Sequence, residues 1–124
     1  MGLIGKTTWL IPDMYWPEIT SEGHYVSHES VCVLNTSEQE CKLDFTLYYE
    51  DRVPPISGFS AVCAAQCTHH VRMDRLTDAN GVHIPRGVAY AAVVKASIPV
   101  VVQYTRVDTT QCANSIMTTP AFAF

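Results

Sequence analysis

From Lys42 to Glu50 apolar and polar side chains alternate without interruption: Leu43, Phe45, Leu47 and Tyr49 fall on one face, and Lys42, Asp44, Thr46, Tyr48 and Glu50 on the other. A period of two is the signature of a half-buried strand and is incompatible with a helix. Six further runs rich in β-branched and aromatic residues read as strands, at residues 7–11, 25–35, 59–64, 68–73, 88–96 and 100–107. Pro54-Pro55, Asn80-Gly81, Pro85-Arg86-Gly87 and Pro99 mark breaks between them. The polar stretch Asn35-Thr36-Ser37-Glu38-Gln39-Glu40 predicts a turn that joins the second run to the alternating one as a hairpin. Only residues 108–119 carry helical spacing, in Ala113, Ile116 and Met117, enough for a turn or two before Pro120. The expectation is an all-β fold, a single-domain antiparallel β-sandwich of jelly-roll-like form over residues 1–124. Its apolar tail, residues 120–124, is expected either to pack on a neighbour or to be disordered.

Composition narrows the class. With 48% of 124 residues apolar and 16% charged, the chain has enough apolar material for one core and is no disordered tail. Its longest apolar stretches, residues 88–94 and 98–102, fall far short of the ~20 residues of a spanning helix. The first residues have neither a basic lead nor a long apolar region before Trp9 and Pro12, so a cytoplasmic location is expected. Five cysteines, an odd number without secretory context, are then expected as reduced thiols.

Charge is distributed unevenly. Residues 1–51 hold two basic and nine acidic side chains, and residues 52–124 hold six basic and three acidic. In one small domain these halves interleave, so opposite charges meet across sheets or subunits. The nearest thing to a basic stripe is Arg72, Arg75 and Arg86, too thin for a phosphate backbone, and a nucleic-acid partner is not expected.

Several constellations have chemical potential. His28 and Glu29 are adjacent, so on a strand they face opposite sides and cannot act on one atom. His24 and His28 share a face, but zinc needs further ligands, from His69 or His70, and no metal is expected. Cys63 and Cys67 have a spacing that fits neither a zinc knuckle nor a thioredoxin-type pair. No G-x-S-x-G elbow or phosphate-binding loop occurs. The most unusual run is Val100 to Gln111, an apolar strand that passes into Gln103, Arg106, Asp108 and Gln111. Tyr104, Arg106 and Asp108 share one face, Gln103 and Thr105 the other. Two readings fit: a polar pocket at a sandwich end, or an Arg106–Asp108 salt bridge at a subunit interface.

Nearly end to end, the chain resembles the sensory rhodopsin transducer family, the soluble transducer of the cyanobacterial sensory rhodopsin and its bacterial relatives. The matching residues are Trp9 and Pro12, Ser27-His28-Glu29 followed by Val31-Cys32-Val33-Leu34-Asn35, Tyr48-Tyr49-Glu50-Asp51-Arg52, His70-Val71-Arg72, Ile84-Pro85 and Pro99-Val100-Val101-Val102-Gln103. Thr105-Arg106, Asp108 and Gln111 complete the set. The resemblance implies a cytoplasmic β-sandwich homotetramer without catalytic activity or cofactor. It further implies a small polar metabolite such as a sugar as ligand, at Trp9, His28, Glu29, Arg72, Gln103, Arg106 and Gln111. The alternative it implies is a signal transducer that docks on the cytoplasmic face of a membrane sensory rhodopsin. A sugar-modifying enzyme using His28, Glu29 or Asp108 is the least favoured reading. Two departures stand out: Gln66-Cys67 replaces the usual pair of arginines, and the loop from Pro54 to Phe59 is one residue longer.

Overall fold

The computed structural model describes residues 3–21, 23–111 and 113–124, and within these every regular element is a strand. The elements are β1 (Lys6–Met14), β2 (His28–Asn35), β3 (Cys41–Tyr49), β4 (Ile56–Cys63), β5 (Cys67–Arg72), β6 (Tyr90–Asp108), β7 (Ser115–Pro120) and β8 (Phe122–Ala123). All pairings are antiparallel. β6 belongs to both halves. Its first part lies between β3 and β1 in the order β4-β3-β6-β1-β8, and its second part lies between β2 and β7, with β5 beyond β2. Even-numbered side chains of β6 point inward from Tyr90 to Tyr104, so one face of a single coiled sheet wraps one core. Leu43, Phe45, Leu47, Ile11 and Val94 from one half meet Val31, Val33, Val71, Val102 and Tyr104 from the other. The all-β, antiparallel sandwich architecture is as the alternation predicts.

Three local expectations are corrected. Pro99 does not end a strand, and the runs expected at 88–96 and 100–107 merge in the one long β6, which begins at Tyr90. On one side of β6 the β3 pairing stops at Ala96 and the β2 pairing begins at Val101. On the other, β1 bulges between Thr8, opposite Lys95, and Lys6, opposite Val100. Proline therefore stands where no ladder bond is asked of it. Gly5 fits this bend through its φ of +107°, and a Cβ there would stand 2.0 Å from the Val100 carbonyl oxygen.

The expected hairpin between β2 and β3 is not formed: β2 pairs with β5 and β6, and β3 with β4 and β6. Residues 36–40 carry the chain from one half to the other, and Asn35 explains why. Its buried Nδ2 donates to the carbonyls of Gln39 (2.7 Å), Cys63 (3.3 Å) and Ala64 (3.2 Å), while Oδ1 accepts from the Ser37 amide (3.0 Å) and hydroxyl (2.8 Å). One amide thereby ties together two of the connections between the halves, β2 to β3 and β4 to β5.

The helical turns expected within residues 108–119 are replaced by β7, because the β-branched Ile116, Thr118 and Thr119 extend along the open edge of β6. The tail is placed as β8, opposite Trp9 and Leu10, yet Phe122 and Phe124 stay 64% and 88% exposed. The four described cysteines are free thiols, and Cys112 lies outside the described residues.

Asn35→Ala removes the amide from the centre of five hydrogen bonds and leaves buried carbonyls unpaired. The expected loss is about 2–4 kcal/mol in urea unfolding. A loss under about 0.5 kcal/mol, the range of a neutral surface change, would contradict this account of the two connections.

Candidate functional site

Along β2, Glu29, Val31 and Val33 face inward, and Ser30 between them is buried as well. Glu29 is thus a carboxylate on the apolar face, fully buried, and its oxygens need donors. Oε1 accepts from the Tyr90 hydroxyl at 2.6 Å, and Oε2 accepts from the Tyr15 backbone amide at 2.7 Å and from the Tyr104 hydroxyl. Arg106, the cross-strand partner of Glu29, donates from Nε to the Tyr104 hydroxyl at 3.0 Å and from Nη2 to Asp13 Oδ1 at 3.2 Å. Tyr49 stacks on Tyr90 with ring centroids 4.9 Å apart. A chain of polar contacts therefore runs from the core carboxylate through Tyr104 and Arg106 to exposed Asp13. Of the two readings of the run from Val100 to Gln111, the one that pairs Arg106 with Asp108 is not what the chain forms within itself: Arg106 pairs with Asp13, and Asp108 accepts from the Thr110 amide at 2.9 Å.

Burial holds the Glu29 carboxyl above its ordinary value of 4.5, and hydrogen bonds from Tyr104, Tyr90 and Tyr15, with the Arg106 charge, offset only part of this. Burial, followed by the neighbouring Glu29 charge, pushes the Tyr90 and Tyr104 hydroxyls upward. Both phenols stay protonated and serve as donors. No buried side-chain polar atom among the described residues is without a partner, and each partner in this cluster is a protein group.

The seven residues singled out from the sequence fall into separate places. Glu29 and Arg106 meet around Tyr104. His28, Arg72 and Gln103 lie on the outward face of the β5-β2-β6-β7 half, where Arg72 is opposite Ser30, Ser30 opposite Thr105, and Cys32 opposite Gln103. There His28 Nδ1 donates to the Val26 carbonyl at 2.8 Å, and Gln103 Nε2 donates to the Thr118 hydroxyl at 2.5 Å. Arg72 forms a two-pronged ion pair with Asp74, both contacts 2.8 Å. Trp9 is buried and donates to the Lys6 and Val100 carbonyls at 3.0 and 3.1 Å, a bond to the β6 bend. Gln111 is exposed in the bend after β6. Among the described residues no group of three or more His, Cys, Asp or Glu side chains is placed to hold a metal ion.

Sequence reasoning missed Tyr15, Tyr90 and Asp13 as members of the cluster. The available signal was the inward phase of Glu29: a carboxylate between Val31 and the core demands donors, and inward tyrosines supply them.

The pH dependence of stability has a definite sign. Folded Glu29 keeps its proton to higher pH than the unfolded chain does. Its contribution is therefore fully present below 4.5 and is lost as pH rises through the raised folded value. Measured by urea unfolding across pH, the stability advantage of the parent over Glu29→Gln should shrink as pH rises through that interval. An advantage that grows instead would contradict the raised carboxyl.

The family model for the Anabaena sensory rhodopsin transducer matches residues 4–123. The structure titled "Crystal Structure of Thermotoga maritima 1070" is similar with a TM-score of 0.82 at 28% identity, covering 97% of this chain and 96% of that one. The structure of the Anabaena sensory rhodopsin transducer is similar with a TM-score of 0.73 at 32% identity, covering 90% of this chain and 96% of that one. No curated protein matches the chain. With the family model spanning almost its whole length, the chain belongs to the Anabaena sensory rhodopsin transducer family.

Proposed function

We propose that this chain relays a signal, without enzymatic turnover, by docking on the cytoplasmic face of a membrane sensory rhodopsin. Family membership supports the partner class. The observation that carries the reading is the rim formed by β1, β7 and β8. There a cleft of about 290 Å³ is lined by Ile11, Pro12, Asp13, Met117, Pro120 and Phe122, among others. Ile116 of β7, Phe122 of β8 and Phe124 just after β8 stand 74%, 64% and 88% exposed. Apolar side chains so uncovered favour a partner surface. Asp13, on the cleft wall, is the outer end of the chain that leads through Arg106 and Tyr104 to Glu29. A partner that changes the Asp13–Arg106 contact changes the surroundings of the buried carboxylate, which gives docking a route into the fold.

Among the described residues no helix is long and apolar enough to cross a membrane, in keeping with a separate membrane-embedded partner. The homotetramer belongs to the same reading and is supported by outward-facing Leu34, Tyr48 and Val62, each nearly half exposed. Recognition of a sugar or another small polar metabolite has less support, because the residues implied for it divide between two faces and a bend and most are engaged with protein groups.

Co-flotation with proteoliposomes carrying a retinal-reconstituted sensory rhodopsin from the same cells tests the proposal. The parent should float with rhodopsin vesicles and not with empty ones. The double change Phe122→Ser and Phe124→Ser should weaken the association about tenfold or more, from the loss of roughly 1.5–3 kcal/mol per buried aromatic. Equal recovery with empty vesicles, or no recovery with either, would count against it.

A further inference from the structure

We propose that Cys41 and Cys63 are a modification site: on exposure to a low-molecular-weight disulfide they join in a reversible cross-strand disulfide that locks the corner where the chain crosses between the two halves. The two residues are direct partners in the β3–β4 ladder, and both side chains lie on its inward face, fully buried. Residues directly opposite on antiparallel strands have Cα atoms about 4.5–5.5 Å apart. That separation lies inside the range of about 4.4–6.8 Å that a disulfide spans. Both thiols are free. Cys41 Sγ lies 3.6 and 3.9 Å from the Lys42 and Ile98 carbonyl oxygens, and Cys63 Sγ lies 3.4 and 3.8 Å from those of Cys67 and Val33. A thiol is a weak donor, so rotation about χ1 that turns the sulfurs toward each other gives up little. Cys32 stands across from His70 and Gln103, and Cys67 across from Asn35, so among the described residues no other two cysteines are partners in a ladder.

Cys41 is the first residue of β3, directly after the β2–β3 connection, and Cys63 is the last of β4, directly before the β4–β5 connection. These are the two connections that Asn35 ties through the carbonyls of Gln39, Cys63 and Ala64. A disulfide here does covalently what one amide does by hydrogen bonds. The pair is also the terminal rung of its ladder, and β4 lies at the end of the strand order, so fraying from that end admits an oxidant without unfolding the core. Burial, and after it the neighbouring Cys41 and Cys67, hold the Cys63 thiol up, so it stays protonated while the rung is closed. In the open rung Cys63 loses its proton and attacks one sulfur of the oxidant, for which oxidised glutathione serves as the probe. The glutathione S–S bond breaks, a mixed disulfide forms at Cys63, and one glutathione thiolate leaves. Cys41, deprotonated in turn, attacks the Cys63 sulfur and expels the second glutathione. Two cysteine thiols lose two electrons in all, one glutathione disulfide is reduced to two thiols, and the two protons lost by the cysteines are taken up by those products. The site stands apart from the docking rim, since neither β3 nor β4 lines that cleft.

Peptide mapping and thermal unfolding of the full chain in mixtures of oxidised and reduced glutathione test the proposal. The folded parent should gain a Cys41–Cys63 link. Its thermal midpoint should rise by about 5 °C or more and return on addition of dithiothreitol. Cys41→Ala should lose both the link and the rise, while Cys67→Ser should keep both. In the oxidised protein Asn35→Ala should lower the midpoint by about half as much as in the reduced protein, or less, because the disulfide already joins the two connections. A link mapped to Cys63 and Cys67, a mixed disulfide that never resolves, or a Cys41–Cys63 link that forms only after unfolding in urea would overturn the site. A link formed in the folded protein that leaves both the midpoint and the effect of Asn35→Ala unchanged would overturn the lock.

Discussion

A carboxylate taken wholly out of water costs several kcal/mol unless donors surround it, and Glu29 meets that cost by drawing together parts of the chain that would otherwise be far apart. Its donors Tyr90 and Tyr104 lie toward opposite ends of β6. Fully extended, the stretch between them would hold these residues roughly 45 Å apart. Both hydroxyls reach one carboxylate only because β6 coils back on itself, and the third donor, the Tyr15 amide, brings in the chain after β1. The Glu29 carbonyl accepts from the Met73 amide at 2.9 Å, which attaches the segment after β5 as well. Glu29 acts as a clasp across the sandwich.

The rest of the architecture makes that coil possible. β6 changes partners around Pro99, where no hydrogen bond is asked of a residue that cannot donate one, and Gly5 and the Trp9 indole lie against the Val100 carbonyl at the turn. Asn35 performs a related task close by, one residue beyond the Leu34–Val101 pairing, where it ties the β2–β3 connection to the β4–β5 connection. Between these polar anchors the core is filled by inward aliphatic and aromatic side chains from every long strand. The proposed docking rim lies at the periphery. The clasp reaches the surface through Arg106 and Asp13, beside apolar side chains that one copy of the chain leaves uncovered.

Much of this was legible in the sequence, for reasons that also explain what was not. The alternation of residues 42–50 marks a strand because each side chain reports its face independently of the rest of the fold, and β3 has that pattern of burial. Arg106 stood out in the run that turns from apolar to polar and Glu29 through the family resemblance, and they are cross-strand partners. The continuity of β6 was hidden because Pro99 is tolerated only through a bulge in a distant strand, β1. The hairpin between β2 and β3 was misread because a polar turn does not reveal whether the chain reverses within a sheet or crosses to the opposite half. Asn35 decides this through carbonyls of residues 63 and 64, far along the sequence. β7 was mistaken for helical turns because the spacing of Ala113, Ile116 and Met117 contains no record of the open β6 edge. Tyr90 was missed as a partner of Glu29 for the same reason: only the coil of β6 brings it there.

The central claim is that one carboxylate couples the two ends of β6. A double-mutant cycle between Tyr90→Phe and Tyr104→Phe, read by urea unfolding at neutral pH, tests it most directly. The clasp predicts non-additivity of about 1 kcal/mol or more, since the second donor lost from a shared buried carboxylate cannot cost what the first one did. Additivity within about 0.5 kcal/mol would mean that the two hydroxyls act independently, and would contradict the clasp.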